Sequence, residues 1–287
     1  MPILTQTDRD FFDANGYMVV PGLVPRDMCQ AVIDAMHDFV GGPERERWYK
    51  PPFSDWGGLE MYQHPSMWAI RQYPPVHQVY AELHGTNRLW VNLDRVSYKL
   101  PRHPDHPAYQ HDGFMHWDVD VRQAAAGRTA FGVQGVLYLC DTAANQGAFQ
   151  CIPGIHKRLA AFIRAQPDDF NGVNSDFAGE KFTAIPAEAG SLVIWNRNLA
   201  HGNAANTSDK PRLAMYLAMN PPSDAAFTKR QARIDAFNRR EPGPGFRDQG
   251  YHWEQQRMLP VELTDLGRRV LGMDDWPADE AIEQAAR

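Results

Sequence analysis

The apolar positions near the N-terminus recur at helical spacing. Met28, Val32, Ile33, Met36 and Val40 form one stripe, which predicts a helix over 25–40 that turns this stripe to a core. A shorter helix is predicted over 5–15, with threonine and aspartate as start signals and Asn15-Gly16 as the stop. Tyr17-Met18-Val19-Val20, ended by Pro21-Gly22, reads as a strand. Residues 41–75 are aromatic, proline-rich and irregular, and a helix over 75–84 ends at His84-Gly85. From residue 88 the pattern changes to short strands at 89–99, 114–120, 131–141, 148–152, 182–185, 190–195 and 212–219, separated by Gly, Pro, Asn and Asp turns. Such a series with little helix between predicts an antiparallel barrel or sandwich. Residues 155–181 form a long polar excursion containing Gly172 and Gly179, expected to close as a lid over the barrel mouth. After 223 the chain turns helical and charged, with a Pro/Gly break at 242–245. The expectation is one catalytic domain over 1–287, mainly β with flanking helices: an N-terminal helical and irregular flank (1–87), a β core (88–220) and a C-terminal helical extension (221–287).

Polar residues within the strand-rich region carry the chemistry. His116-Trp117-Asp118 lies in a predicted strand, where a side-chain period of two puts His116 and Asp118 on one side and Trp117 on the other. His201 follows later, and Arg212 stands 11 residues beyond it. Two histidines and a carboxylate hold non-haem Fe(II) on one face and leave positions open for substrate and O₂. A downstream cation suits the remote carboxylate of a 2-oxoacid cosubstrate. A second His-x-Asp, His103-Pro104-Asp105, sits in a proline-rich stretch that reads as a loop. His111 and Asp112 are adjacent and diverge in an extended chain. The expected ligand pair is therefore His116 and Asp118, with His103 and His111 at the site rim or on the surface.

Composition narrows the class further. The 287 residues carry 43% hydrophobic and 22% charged side chains, an ordinary globular balance. A net charge of −6 argues against nucleic acid as a partner, since phosphate binding wants a concentrated basic surface. No apolar run reaches the ~20 residues that span a bilayer, and the first residues show no secretion signal. Cys29, Cys140 and Cys151 form a sparse, odd set that fits reduced thiols in a cytosol. The expectation is a cytoplasmic monomer or homodimer acting on a small molecule, without nucleic acid or membrane.

The chain resembles the phytanoyl-CoA dioxygenase family of Fe(II)/2-oxoglutarate-dependent oxygenases over about residues 5–220. The resemblance rests on three blocks in order. They are the opening LTQTDRDFFDANGYMVVPGLVPRDMCQAVIDAM, the central GVLYLCDTAANQGAFQCIPGIHK (135–157) and the closing GSLVIWNRNLAHGNAANTSDKPRLAMYL (190–217). It implies a double-stranded β-helix, the jelly-roll or cupin-like barrel. It also implies His116, Asp118 and His201 as iron ligands and Arg212 as the clamp on the C5 carboxylate of 2-oxoglutarate. Asn203 replaces the serine or threonine common after the second histidine, and Gln134 stands where an aromatic is common; both can still hydrogen-bond a carboxylate. Lys99 reads either as an extra cosubstrate ligand or as a solvated surface lysine.

The implied reaction oxidises a small molecule, by hydroxylation or otherwise, with Fe(II) as the bound metal, 2-oxoglutarate and O₂ consumed, and succinate and CO₂ released. A halogenase would need a small residue in place of Asp118, so oxidation is favoured. A zinc hydrolase can also use two histidines and a carboxylate but has no need of Arg212. A non-enzymatic binding module would be expected to have lost a ligand. For the substrate, residues 41–75 and 155–181 are expected to line the mouth. Their aromatics (Trp48, Tyr49, Trp56, Phe162, Phe170, Phe177) and bases (Arg47, Lys157, Arg158, Arg164) suit an apolar body with an acidic handle, or else are core and surface residues.

Overall fold

The structure, a computed structural model, describes residues 1–49, 57–109, 112–170, 172–173, 177, 179–222 and 229–277. His111 and Trp56 lie outside the described residues.

Local signals set the N-terminal elements. Helix α1 (Gln6–Asn15) starts on a reciprocal capping box between Thr5 and Asp8. It stops at Gly16, whose φ of 79° suits a residue without a Cβ. Strand β1 (Tyr17–Val20) follows, then α2 (Arg26–Val40), which buries Cys29, Val32, Ile33, Met36 and Val40. The irregular stretch holds a 3₁₀ turn (Arg45–Tyr49), β2 (Gly58–Leu59) and a helix the sequence pattern did not predict, α3 (Pro65–Arg71), before α4 (Pro74–His84).

The predicted strand at 89–99 is two strands in different sheets, β3 (Trp90–Val91) and β4 (Val96–Lys99), separated by Asn92 to Arg95. The remaining strands are β5 (Phe114–His116), β6 (Val133–Tyr138), β7 (Phe149–Cys151), β8 (Thr183–Ala184), β9 (Leu192–Asn196), β10 (His201–Asn203), β11 (Arg212–Tyr216) and β12 (Met219–Asn220). All pairings are antiparallel. A six-stranded sheet runs β1-β9-β6-β11-β4-β2, a four-stranded sheet runs β5-β10-β7-β8, and β12 pairs with β3. The two larger sheets face one another: Val136, Tyr138, Val193 and Trp195 of one pack in a common apolar cluster with Met115, Phe149 and Cys151 of the other. A second cluster lies between the outer face of the large sheet and helices α2, α3 and α4.

Helices also interrupt the strand series, at α5 (Val121–Ala125) and α6 (Ile155–Arg164), and they continue after it as α7 (Arg230–Arg239), α8 (Trp253–Arg257) and α9 (Asp265–Leu271). Helix therefore outweighs strand, and "mainly β" is corrected to two antiparallel sheets within a larger helical shell. The lid expectation changes as well. The first ten residues of 155–181 form α6, which buries Ile155, Leu159, Phe162 and Ile163. Beyond α6, Phe170 and Phe177 pack on Trp117.

Candidate active site

Two cross-strand pairs, one on each facing sheet, build the site. In the four-stranded sheet His201 of β10 is the direct partner of His116 of β5. Gly202 makes that pairing possible, because a Cβ there would stand 1.8 Å from the Phe114 carbonyl oxygen. In the six-stranded sheet Arg212 of β11 is the direct partner of Lys99 of β4. Between the sheets lies a cavity of about 720 Å³ lined by all four residues together with Asp118, Gln134 and Asn203.

The first pair gathers a donor set. β5 ends at His116, so Asp118 sits in the bend beyond the strand rather than within it. The carboxylate nonetheless turns back between the two rings, with His116 Nε2 3.1 Å from Oδ1 and His201 Nε2 3.3 Å from Oδ2. One atom from each residue lies within 4.8 Å of the others, spacings that a single ion with bonds of ~2 Å can bridge. The tautomer of His201 adds to the fit. Its Nδ1 is 3.0 Å from the Leu199 carbonyl oxygen, which can only accept, so Nδ1 carries the proton. In the neutral ring Nε2 is then a lone pair facing a carboxylate oxygen, and two acceptors at that distance call for a cation between them. Burial holds the His201 pKa below its usual value and so favours this neutral form. Burial alone would raise the Asp118 carboxyl, but the contacts with His116, the His201 ring and the Gln134 amide outweigh it and keep the group far below the usual carboxylate range. His116 Nδ1 is buried without a hydrogen-bond partner among the described residues.

Gln134 supports the carboxylate. Its Nε2 donates to Asp118 Oδ2 at 2.5 Å, while Trp195 Nε1 donates to its Oε1 at 3.0 Å. The amide is thus fixed in one orientation and aimed at Asp118 rather than at open space. Asn203, two residues beyond His201 on β10, is buried and lines the same cavity.

The second pair is a concentration of buried positive charge. Arg212 is 1% exposed, its Nη2 donates to Ser97 Oγ at 2.9 Å, and its Nε has no hydrogen-bond partner among the described residues. It has no carboxylate partner among the described residues. Lys99 is buried too, so the solvated surface lysine is ruled out; burial and the neighbouring Arg212 push its pKa well below the usual lysine value. An arginine and a lysine side by side at the wall of a cavity favour an anionic ligand, beside which Lys99 regains its charge.

Other expected site residues fall elsewhere. His103 is on the surface, where it and His106 pair with Glu46 at 3.2 and 3.4 Å and pack against Tyr49; Asp105 contributes only its backbone N–H, donated to His103 Nδ1. None of the aromatics expected at the mouth lines the cavity among the described residues. Trp48, Tyr49, Phe162, Phe170 and Phe177 are buried in the core, and Lys157 and Arg158 pair on the surface with Asp13 and Glu180. The cavity is lined instead by residues that include Asn92, Asp94, Arg95, Phe114, Tyr216 and Phe246. Sequence reasoning missed these and Ser97, although the strand period places Arg95, Ser97 and Lys99 on one face.

Comparison with known proteins identifies the family. The family model for phytanoyl-CoA dioxygenase (PhyH) matches residues 12–214. A phytanoyl-CoA dioxygenase-type protein of Dictyostelium discoideum is 21% identical over 272 residues, covering 78% of each chain. Ava biosynthesis cluster protein O of Aspergillus versicolor is 24% identical over 245 residues, covering 74% of this chain and 77% of its own. Among solved structures, the epimerase SnoN in complex with Fe³⁺, alpha-ketoglutarate and nogalamycin RO aligns with a TM-score of 0.55 at 16% identity, over 76% of this chain and 83% of its own. Its likeness extends to the fold. The chain belongs to the phytanoyl-CoA dioxygenase family, whose members depend on Fe(II) and 2-oxoglutarate.

Proposed function

We propose that the protein is an Fe(II)/2-oxoglutarate-dependent dioxygenase that hydroxylates or otherwise oxidises a small molecule, releasing succinate and CO₂. The observation that supports it best is the sharing of one cavity by the His116–Asp118–His201 set and the buried Lys99–Arg212 pair. In this reading the facing sheets are the halves of a double-stranded β-helix, and residues 1–287 act as one catalytic unit with 88–220 at its core.

Each residue then has a defined task. His116, Asp118 and His201 hold the iron, which when bound supplies the O₂-activating chemistry that couples decarboxylation of 2-oxoglutarate to substrate oxidation. Asp118 brings negative charge that offsets the metal, and Gln134 holds that carboxylate in place. Arg212 presents a planar fork to the remote carboxylate of 2-oxoglutarate, with its orientation set by Ser97. Lys99 adds a second charge to the same end, and Asn203 offers an amide within the same cavity. The apolar walls keep the space around the metal dry.

Purified protein given 2-oxoglutarate, O₂ and Fe(II) should form succinate, and Zn(II) should not replace iron. Activity with Zn(II) and no requirement for 2-oxoglutarate would instead favour a hydrolase.

A further inference from the structure

The cavity has a second polar end that the residues above do not use. Residues 95, 97 and 99 share one face of the chain entering β4, so Arg95 stands four residues, roughly 13 Å along an extended chain, from Lys99. Asp94 and Arg95 line the cavity there, beside Phe246 and Tyr216. With 2-oxoglutarate at Lys99 and Arg212, as proposed above and as this inference requires, the far end is left for the molecule to be oxidised.

This end is firmly built. The backbone between β3 and β4 leaves the sheets at Asn92 to Arg95, and a fully buried arginine holds it. Arg71 donates through Nη2 to the Asp94 carbonyl at 2.6 Å and through Nη1 to the Tyr62 carbonyl. Arg95 donates to the Tyr62 hydroxyl at 3.1 Å and lies over the Phe246 ring, 5.0 Å from its centroid. Asp94 Oδ1 accepts the Arg95 backbone N–H at 2.7 Å and lies 3.6 Å from Arg95 Nε. Asp94 Oδ2 has no partner among the described residues, although the side chain is only 19% exposed. Fixing a short segment by a buried guanidinium, while leaving one carboxylate oxygen unused at a cavity wall, is the form of a preorganised recognition site.

We propose that Asp94, backed by Arg95, is the specificity-determining contact for the primary substrate, and that it selects a neutral apolar molecule bearing a hydroxyl. The charge balance decides the class. An anionic handle would meet Asp94, and an ammonium would meet Arg95 alongside it. A hydroxyl donates to Oδ2 and leaves the pair intact, while Phe246, Val136 and Ala218 accept the apolar body. The acidic handle expected from the sequence is thereby replaced.

The test uses four matched probes: phenethyl alcohol, phenethylamine, phenylacetate and ethylbenzene. Their binding is measured by saturation-transfer NMR on full-length protein loaded with Zn(II) and 2-oxoglutarate, which holds the site without turnover. The alcohol should bind roughly tenfold more tightly than each of the other three, the scale of one hydrogen bond to a charged group. Asp94→Ala should erase that preference, and Asp94→Asn, which keeps an acceptor, should retain part of it; circular dichroism checks that each variant folds. Preference for the amine or the carboxylate, no preference among the four (including no binding by any), or an unchanged preference in Asp94→Ala would overturn the proposal. Binding of 2-oxoglutarate in the same samples reports separately on the function proposed above.

Discussion

Two clusters in this molecule have the same composition, two histidines and one carboxylate, and almost the same spacing. In His116–Asp118–His201 the nitrogen–oxygen distances are 3.1 and 3.3 Å; in Glu46–His103–His106 they are 3.2 and 3.4 Å. What separates them is the outer hydrogen bond of one ring. His201 Nδ1 faces a carbonyl and must donate, which leaves Nε2 as a lone pair for a metal. His103 Nδ1 faces the Asp105 backbone N–H and must accept, so in the neutral ring Nε2 carries a proton and donates to Glu46. The first cluster lies in a cavity beside two buried cations; the second, packed against Tyr49, ties a proline-rich loop to the Glu46 turn. Ligand type and distance do not define a metal site; the partners of the ligands do.

The largest effects should separate the clusters outright. Asp118→Ala or His201→Ala should lower Fe(II) affinity by on the order of a hundredfold or more and abolish succinate formation, because three ligands leave none to spare. His103→Ala and His106→Ala should leave iron content, measured by metal analysis after dialysis, at the wild-type level.

Next come the cations that only the first cluster has beside it. Arg212→Ala should weaken 2-oxoglutarate binding by roughly 2–5 kcal/mol, the scale for removing one side of a buried charge pair. Arg212→Lys should fall between, since it keeps the charge and loses the fork. Calorimetric titration against 2-oxoglutarate reads both, and equal binding by all three proteins would remove Arg212 from the site.

Gln134→Leu sharpens the comparison at the level of support. Without its hydrogen bond Asp118 loses a fixed orientation, and metal affinity should drop by about 10–100-fold while 2-oxoglutarate affinity at saturating metal changes little. The smallest expected effect is a pH dependence. The Lys99 pKa in the free protein is depressed, and an anion beside it restores the charged form, so 2-oxoglutarate binding should take up protons. Affinity should therefore begin to fall, as pH rises, well below the ~10.4 of an ordinary lysine. Lys99→Met should remove that dependence, visible as loss of buffer-dependent enthalpy.

The sequence displays these features unevenly, for physical reasons. Helices α1, α2 and α4 are readable because caps and a 3.6-residue period are local properties, complete within each segment. Helix α6 carries the same helical spacing in Ile155, Leu159, Phe162 and Ile163, but it ends at Ala165 without a glycine stop and so merges with the polar stretch that follows it. The run 89–99 looks like one strand because apolar content does not show where a backbone leaves one sheet for another. His116, Asp118, His201 and Arg212 were identifiable by spacing, since each lies in or just past a short strand that fixes its direction. Ser97, Asp94 and Arg95 gain their roles only through the pairing of β4 with β11 and the reach of Arg71, contacts between residues far apart in sequence. The aromatics of 41–75 misled because a buried core and a binding mouth draw on the same residue types.

The most direct test of the central claim is an anaerobic titration of Fe(II) into three proteins: the native chain, Asp118→Ala, and the double variant His103→Ala/His106→Ala, each with 2-oxoglutarate present. The account predicts one equivalent of tightly held iron, with a visible charge-transfer band, in the native chain and the double variant and neither in Asp118→Ala. Loss of the iron and its band from the double variant, with both retained in Asp118→Ala, would contradict it.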